Sequence, residues 1–507
     1  MKWLGKPIKW FLQQRYPSIR YDQENAGEIQ QHLILQLVKK ASLTEWGIRY
    51  GYDHIKYPEQ FKEQCPLNDY DTLKGHIQQM IAGRQNVLWP TRIKWFAKSS
   101  GTTSDKSKFI PVSPEALKEG HYKGGFDVMT TYAVNHPETG IFSGKTLIMG
   151  GSQTVHPLNN NARYGDISAV MMSNMPAIGQ FLRAPELSIA LMSEWESKIE
   201  RLAASTLHQR ITSLAGVPTW TIVLINKLFE MTGKNDLSTI WPHLELYIHG
   251  GVSFTPYSAN FRKLIKNPGM NYLQTYNASE GFFAYQDRHN TGDMLLAINH
   301  GIYYEFIPAG QANEDHPATL TLGEVVIGIN YALVISTNAG LWRYKVGDTI
   351  QFTSLNPYRI IVTGRTKHYI NAFGEEVIVD NTDKAIQIVC EASGAEVADY
   401  TVAPLFSDEG KNACHQWLIE FAETPEDPAD FAVKLDLALQ SLNSDYEAKR
   451  YKNMALKAPE LIIAPKGLFQ VWLKNRGKLG GQHKVPRLSN DRKHMDELLA
   501  IYAQNII

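Results

Sequence analysis

The chain has 507 residues, 43% hydrophobic and 20% charged, the make-up of an ordinary globular protein with two to four compact units, which excludes wholesale disorder. Lys plus Arg (51) equals Asp plus Glu (51), so no global field draws the protein to nucleic acid or an acidic surface. Three cysteines, Cys65, Cys390 and Cys414, without a Cys-x-x-Cys pair, indicate neither a disulfide framework nor a zinc site and fit a reducing, cytoplasmic setting.

The start, Met1-Lys2-Trp3-Leu4-Gly5-Lys6-Pro7-Ile8-Lys9-Trp10-Phe11-Leu12, is basic and apolar, but Lys6, Pro7 and Lys9 interrupt any signal-peptide core. It reads as a docking segment or short helix. Ile29, Leu33, Ile34, Leu37 and Val38 recur at helical spacing and predict an amphipathic helix over 27–41.

The apolar run Ile93-Lys94-Trp95-Phe96 then leads into Ala97-Lys98-Ser99-Ser100-Gly101-Thr102-Thr103-Ser104-Asp105-Lys106-Ser107-Lys108. A hydroxyl-rich turn with one glycine and basic flanks offers N–H groups, O–H groups and positive charge to a polyphosphate. Such clusters are also ordinary solvated connections. The Walker spacing is absent, which disfavours P-loop kinases and GTPases.

Two apolar runs end in glycine: Thr146–Met149 meets Gly150-Gly151, and Leu244–Ile248 meets His249-Gly250-Gly251. Strands that finish this way bring backbone close to a ligand, or simply turn. A strand-like approach from Tyr272 and Leu273 enters Thr275-Tyr276-Asn277-Ala278-Ser279-Glu280-Gly281. Here an aromatic ring can stack on a purine, a hydroxyl can bond phosphate and a carboxylate can hold Mg²⁺.

The longest uncharged stretch, Val325–Trp342, contains Gly328, Asn330, Ser336, Asn338 and Gly340 among β-branched residues, and predicts paired buried strands rather than a membrane span. It runs into Trp342-Arg343-Tyr344-Lys345-Val346-Gly347-Asp348, and Tyr358–Val362 runs into Thr363-Gly364-Arg365. An aspartate after glycine at a strand start can accept both ribose hydroxyls, and a nearby arginine can reinforce ribose or phosphate contacts. A plain Gly-Asp turn is the alternative.

Beyond Gly364–Lys367 the pattern changes to a helix near 380–392, strands at 400–402 and 417–421, a helix near 427–442 opened by Asp427-Pro428, and strands near 461–463 and 469–472. This is a small α+β unit. Last comes the basic, glycine-rich Gly477-Lys478-Leu479-Gly480-Gly481-Gln482-His483-Lys484-Val485-Pro486-Arg487, which on composition alone could be a surface loop. The sixteen histidines form no metal motif, and His243 and His249, which flank a predicted strand, read as surface or core residues.

Taken in order, Ser99-Ser100-Gly101-Thr102-Thr103, Tyr276-x-x-Ser279-Glu280, Tyr344-x-x-Gly347-Asp348 and the late element around Lys484 resemble the auxin-responsive promoter (Gretchen Hagen) family of acyl-acid amido synthetases. That family is a branch of the adenylate-forming enzymes. The resemblance runs from about residue 90 to about residue 490. It implies an α/β fold: a large N-terminal adenylate-forming domain of mixed sheets and helices, which binds ATP and the acyl group (1–364), and a small, mobile C-terminal α+β domain (365–507).

The resemblance also implies roles. Ser99, Ser100, Gly101, Thr102 and Thr103 would grip the ATP phosphates, and Tyr276 would pack on adenine. Ser279 and Glu280 would serve phosphate and Mg²⁺, with Glu280 as the metal ligand. Asp348 would take the ribose hydroxyls, Arg365 would lie near an interdomain hinge, and Gly250 and Gly251 would lie near adenine and the acyl carboxylate. Lys484 would stabilise charge at the α-phosphate, although Lys478 is close enough to compete for that role. The numerous Trp and Tyr would serve core packing and an apolar acyl pocket.

Asn277, in place of a small residue, and His483, in place of tyrosine, depart from the family without removing a needed charge or hydroxyl. The implied reaction is ATP-dependent activation of a carboxylic acid followed by transfer to an amino acid amine. Transfer to coenzyme A is the nearest alternative, and a non-catalytic ligand-binding relative is a third.

Overall fold

The computed structural model describes residues 5–100, 107–150, 156–159, 162–192, 194–251, 254, 257–289, 291–312, 314–366, 369–375, 377–406, 413–453, 455–475 and 486–504. The chain forms two compact units, one drawn from residues between 5 and 366 and the other chiefly from residues between 369 and 504.

In the large unit, the strand Asn271–Ala278 marks a change of direction within a sheet of eleven described strands. On one side Leu246–Gly250, Ile211–Gly216, Lys145–Ile148 and Arg183–Ala184 follow in parallel. On the other, Gly281–Tyr285, Met294–Leu296, Tyr358–Arg365, Tyr344–Leu355, Asn330–Thr337 and Ile302–Pro308 follow antiparallel. Parallel neighbours need crossover connections, and helix Pro218–Thr232 supplies one between Ile211–Gly216 and Leu246–Gly250. Pro218 starts that helix, where its missing N–H costs nothing, and Gly233 ends it at φ +68°.

The uncharged stretch 325–342 holds one strand, Asn330–Thr337, hydrogen-bonded on both edges; the rest is turn, and Val326, Ile327 and Ile329 stay exposed. The N-terminal segment is helical over Gly5–Gln13. The helix expected at 27–41 spans Ala26–Ala41 and buries Leu33, Ile34, Leu37 and Val38. Gln30 fastens it to the sheet, donating to Ile298 O and Ile302 O (2.7 and 2.9 Å) and accepting from Tyr304 N.

A second sheet runs Ser107–Val112, Trp95–Ser100, Arg163–Gly165, His156–Pro157. The strands that enter and leave the hydroxyl-rich run are therefore neighbours. No described helix is long and apolar enough to cross a membrane.

The small unit has the sheet Glu396–Phe406, Ala413–Glu423, Glu460–Ala464, the first pair antiparallel and the second parallel. Asp427 caps helix Pro428–Leu442 by accepting from Ala429 N and Asp430 N. The residues expected as a strand at 469–472 lie in helix Leu468–Asn475. Leu468, Phe469 and Trp472 bury one helical stripe against Ala403, Leu418 and Ala464, a spacing that a strand would split between two faces.

Candidate active site

Glu280 and Ser279 form the turn between Asn271–Ala278 and Gly281–Tyr285, at the point where the sheet changes from parallel to antiparallel. Ligand sites of α/β sheets favour such a change because neighbouring loops diverge there. Register brings in the other groups: Asp348 lies opposite Arg365 on the adjacent strands Tyr344–Leu355 and Tyr358–Arg365. Asp348 therefore sits within a strand rather than at its start.

Asp348 is the hub, with 7% of its surface exposed. Its Oδ2 accepts from the Tyr276 hydroxyl at 2.5 Å and its Oδ1 from Arg365 Nε at 2.7 Å. Each carboxylate oxygen has a second lone pair, so this arrangement orients Asp348 without exhausting it as an acceptor. Burial, reinforced by Asp348, pushes the Tyr276 phenol well above the usual tyrosine range, so Tyr276 acts as a donor. Its ring packs against Phe283 at 4.8 Å.

Burial raises the Glu280 carboxyl to about 7, with Asp348 adding to the rise and Lys108 and Arg365 opposing it. A half-charged carboxyl beside an oriented carboxylate is poised to accept a cation. Mg²⁺ is commonly bound by one or two carboxylates with substrate phosphates and water completing the shell. Glu280, with the Ser279 hydroxyl next to it, has the donor chemistry for that role.

Gly250 ends the neighbouring strand opposite Thr275. A Cβ at Gly250 would stand 2.6 Å from the Thr275 carbonyl oxygen, and Gly251 follows at φ +82°. Both positions require glycine for steric reasons. His249, just before them, is buried and stacked on Phe254 at 4.0 Å, and burial lowers it to about 3.

Ser99 is half-buried near the end of strand Trp95–Ser100. Gly101, Thr102, Thr103, Lys478 and Lys484 lie outside the described residues. Just beyond Lys484, Pro486 O accepts from Thr401 Oγ1 at 2.7 Å, and Val402 N donates to Arg487 O at 2.9 Å. Pro486 and Arg487, which close the late element, are thus tied to the edge strand of the small unit's sheet.

Two contributors were not singled out from the sequence. Lys108 closes the hydroxyl-rich run, and its charge acts on Glu280 across 172 positions. Its signal was its place at the end of that run. His121 lies in the π-helical stretch Ala116–Tyr122, and its Nδ1 donates to Asn277 Oδ1 at 2.7 Å. Burial lowers His121 to about 4 and keeps it neutral. Nothing in its local sequence marks it; the wider π turn and the strand register bring it to Asn277.

Arg343, inside the Trp342–Asp348 motif, points away from these groups. It forms a buried ion pair with Glu305 (2.9 Å) and donates to Lys62 O and Cys65 O (2.7 and 2.8 Å).

Comparison with known proteins finds three family models in chain order: the GH3 family N-terminal domain over 15–270, its central domain over 295–365 and its C-terminal domain over 380–493. Among curated proteins, a jasmonoyl–L-amino acid synthetase of Nicotiana attenuata is 24% identical, the match covering 96% of this chain and 94% of that protein. An indole-3-acetic acid-amido synthetase of Arabidopsis thaliana is 23% identical over 93% of this chain and 91% of its own. Among solved structures, an acyl acid amido synthetase in complex with 2,4-DB has a TM-score of 0.64 at 17% identity, covering 96% of both chains. A 2-hydroxyisobutyryl-CoA ligase in complex with 2-HIB-AMP and CoA has a TM-score of 0.59 at 14% identity, covering 95% of this chain and 92% of that one. The last two establish likeness of fold.

Proposed function

Because the chain belongs to the GH3 family of adenylate-forming ligases, we propose that it joins a carboxylic acid, activated as its acyl-adenylate, to the amine of an amino acid. The observation that carries this reading is the Tyr276–Asp348–Arg365 cluster with Glu280, which gathers an aromatic ring, a carboxylate able to accept a diol, a cation and a metal-competent carboxyl on interior strands of one sheet.

In the first half-reaction a carboxylate oxygen attacks the α-phosphorus of ATP. The bond from that phosphorus to its bridging oxygen breaks, and pyrophosphate leaves with the electron pair. Asp348 accepts the ribose hydroxyls, held in place by Tyr276 and Arg365, and Tyr276 packs on adenine. Ser99, Ser100, Gly101, Thr102 and Thr103 bind the phosphates, and Gly250 and Gly251 let backbone approach the adenine and the acyl carboxylate. Lys484 offsets charge at the α-phosphate. When bound, Mg²⁺ would neutralise part of the polyphosphate charge, held by Glu280.

In the second half-reaction the amine nitrogen attacks the acyl carbon, AMP leaves and the nitrogen loses a proton, giving an amide. The segment after Arg365 serves as the hinge between a substrate-binding domain, 1–364, and the domain that carries Lys484. The amide acceptor is favoured by the curated relatives, which are amido synthetases matched over most of their length.

The test is pyrophosphate release from Mg-ATP against a panel of aromatic, indolic, benzoic and fatty acids, with pooled amino acids or coenzyme A added separately. AMP with a stable amide is the expected outcome. A thioester formed only with coenzyme A would replace the amide reading, and absence of carboxylate-dependent release from folded, ATP-binding protein would overturn the activity.

A further inference from the structure

Tyr285, Leu295 and Arg359 stand side by side across three strands of the large sheet, because Tyr285 pairs with Leu295 and Leu295 with Arg359. Ala284, next to Tyr285, is the partner of Tyr276, so this row lies on the face of the sheet opposite Tyr276. Helices Tyr16–Glu24 and Lys123–Asn135 cover the row's face, with Ile19 and Val128 in one core cluster with Tyr285 and Leu295. Between these helices and the sheet is a cavity of about 220 Å³.

Its lining is polar and incompletely satisfied. Thr131 is 4% exposed, and its Oγ1 has no hydrogen-bond partner although the Tyr285 hydroxyl is close. The Gln23 amide donates to Leu296 O at 2.8 Å, while its buried Oε1 accepts nothing. A buried polar atom without a partner is destabilising, and a ligand that supplies hydrogen-bond donors relieves it.

Four charges complete the lining, and they cancel. Arg359 is buried and holds Asp287 through both terminal guanidinium nitrogens; Arg20 and Glu24, both exposed, pair at 3.1 Å at the mouth. Neither pair exhausts its N–H groups or lone pairs. A ligand with a single charge would enter without a matching excess of the opposite sign, whereas a zwitterion meets guanidinium with its carboxylate and carboxylate with its ammonium. At about 30 Å³ for each water-sized group, the cavity holds about seven of them, the size of glycine, alanine or serine.

We propose that this cavity binds a small zwitterionic amino acid, as a second ligand site on the sheet face opposite Tyr276. The ammonium donates to Gln23 Oε1 and Thr131 Oγ1, and the carboxylate takes N–H groups left over on Arg20 and Arg359. A ligand held this way ties helix Tyr16–Glu24 to the sheet. Binding here does not depend on which acid or acceptor the ligase uses.

The test is isothermal titration of the full chain, without nucleotide, with glycine, L-alanine and L-serine, against acetate, ethylamine and glycerol as singly charged and uncharged controls. At least one of the amino acids should saturate with a Kd of about 1 mM or tighter, and every control should bind at least about tenfold more weakly. Thr131→Val should weaken that amino acid about tenfold or more and melt no lower than wild type, since it removes a hydroxyl that has no partner. Arg20→Gln/Glu24→Gln, at two exposed positions, should weaken it by as much. Both variants should keep carboxylate-dependent pyrophosphate release, which separates this cavity from an acceptor site beside Glu280. No saturable binding, equal binding of a control, or wild-type binding by either variant would overturn the proposal, and each is read without turnover.

Discussion

At Glu280 stability and the proposed chemistry pull in opposite directions. A carboxyl raised to about 7 from 4.5 is protonated more readily in the folded chain than in the unfolded one. Its contribution to stability is complete below 4.5 and is lost as pH rises through 7, so ionised Glu280 costs the fold up to about 3 kcal/mol at pH 8. Glu280→Gln should therefore unfold at higher urea than wild type at pH 8, by an amount that shrinks toward pH 5. If the ionised form holds the metal, kcat/KM for pyrophosphate release in wild type should rise through a midpoint near 7, the free-enzyme value. The variant should be flat with pH and about a hundredfold or more slower. Asp348→Asn keeps the shape but removes the charge that aligns Tyr276 and Arg365; KM for ATP should rise about tenfold or more, as loss of a charge-assisted bond implies, with the fold intact by circular dichroism. Arg343→Ala should behave in the reverse way. It leaves Glu305, which has no exposed side-chain surface, as a buried charge without its partner, and should cost about 3 to 5 kcal/mol in urea unfolding, while ATP affinity is retained in whatever remains folded.

At the scale of elements, the close approach of strands Leu246–Gly250 and Asn271–Ala278 depends on a missing side chain. Gly250→Ala would force a methyl to 2.6 Å from the Thr275 carbonyl, against backbone that cannot rotate away. The strands must part, so a loss of about 1 to 3 kcal/mol is expected in urea unfolding, with a larger fractional loss in pyrophosphate release because Tyr276 follows Thr275 directly. Much of this architecture was legible. Glycine-terminated runs at 146–149 and 244–248 match strands Lys145–Ile148 and Leu246–Gly250, and the apolar spacing at 27–41 matches Ala26–Ala41, because a buried stripe imposes its period on local sequence. Residues 469–472 were not legible, since four residues, three of them apolar, suit either a strand or one helical turn and only the core they meet decides. The groups proposed for the site could be read as motifs but their meeting could not. Asp348 meets Tyr276 across 72 positions and Arg365 across 17 through strand register, and the π-helical turn that brings His121 to Asn277 leaves no periodic trace.

For the whole molecule, formal neutrality means that self-repulsion does not set the response to pH near 7, so buried titrating groups do. His121 and His249, held to about 4 and about 3, stay neutral in the fold but take up protons near 6.5 once unfolded. The unfolded state then binds more protons between those values and 6.5, and stability rises with pH across that window. Burial lowers His76, His289 and His300 in the same sense, whereas Glu280 opposes them up to about 7. Near pH 5.5 two histidines outweigh one carboxyl by roughly one proton, a slope of about 1.4 kcal/mol per pH unit before the other histidines add to it. Above 6.5 the histidine effect fades and Glu280 offsets most of what remains of it, while Lys198, which burial lowers to about 8, keeps the slope from reversing. The large unit, which holds all of these groups, should therefore gain stability steeply from pH 5 and level off toward pH 7. Urea unfolding at half-unit steps from pH 5 to 7.5 tests this. His249→Asn should flatten the acid limb by nearly one proton, and Glu280→Gln should steepen it by as much and keep stability rising through pH 7. An acid limb that neither substitution changes would mean that these buried groups are not what the fold answers to.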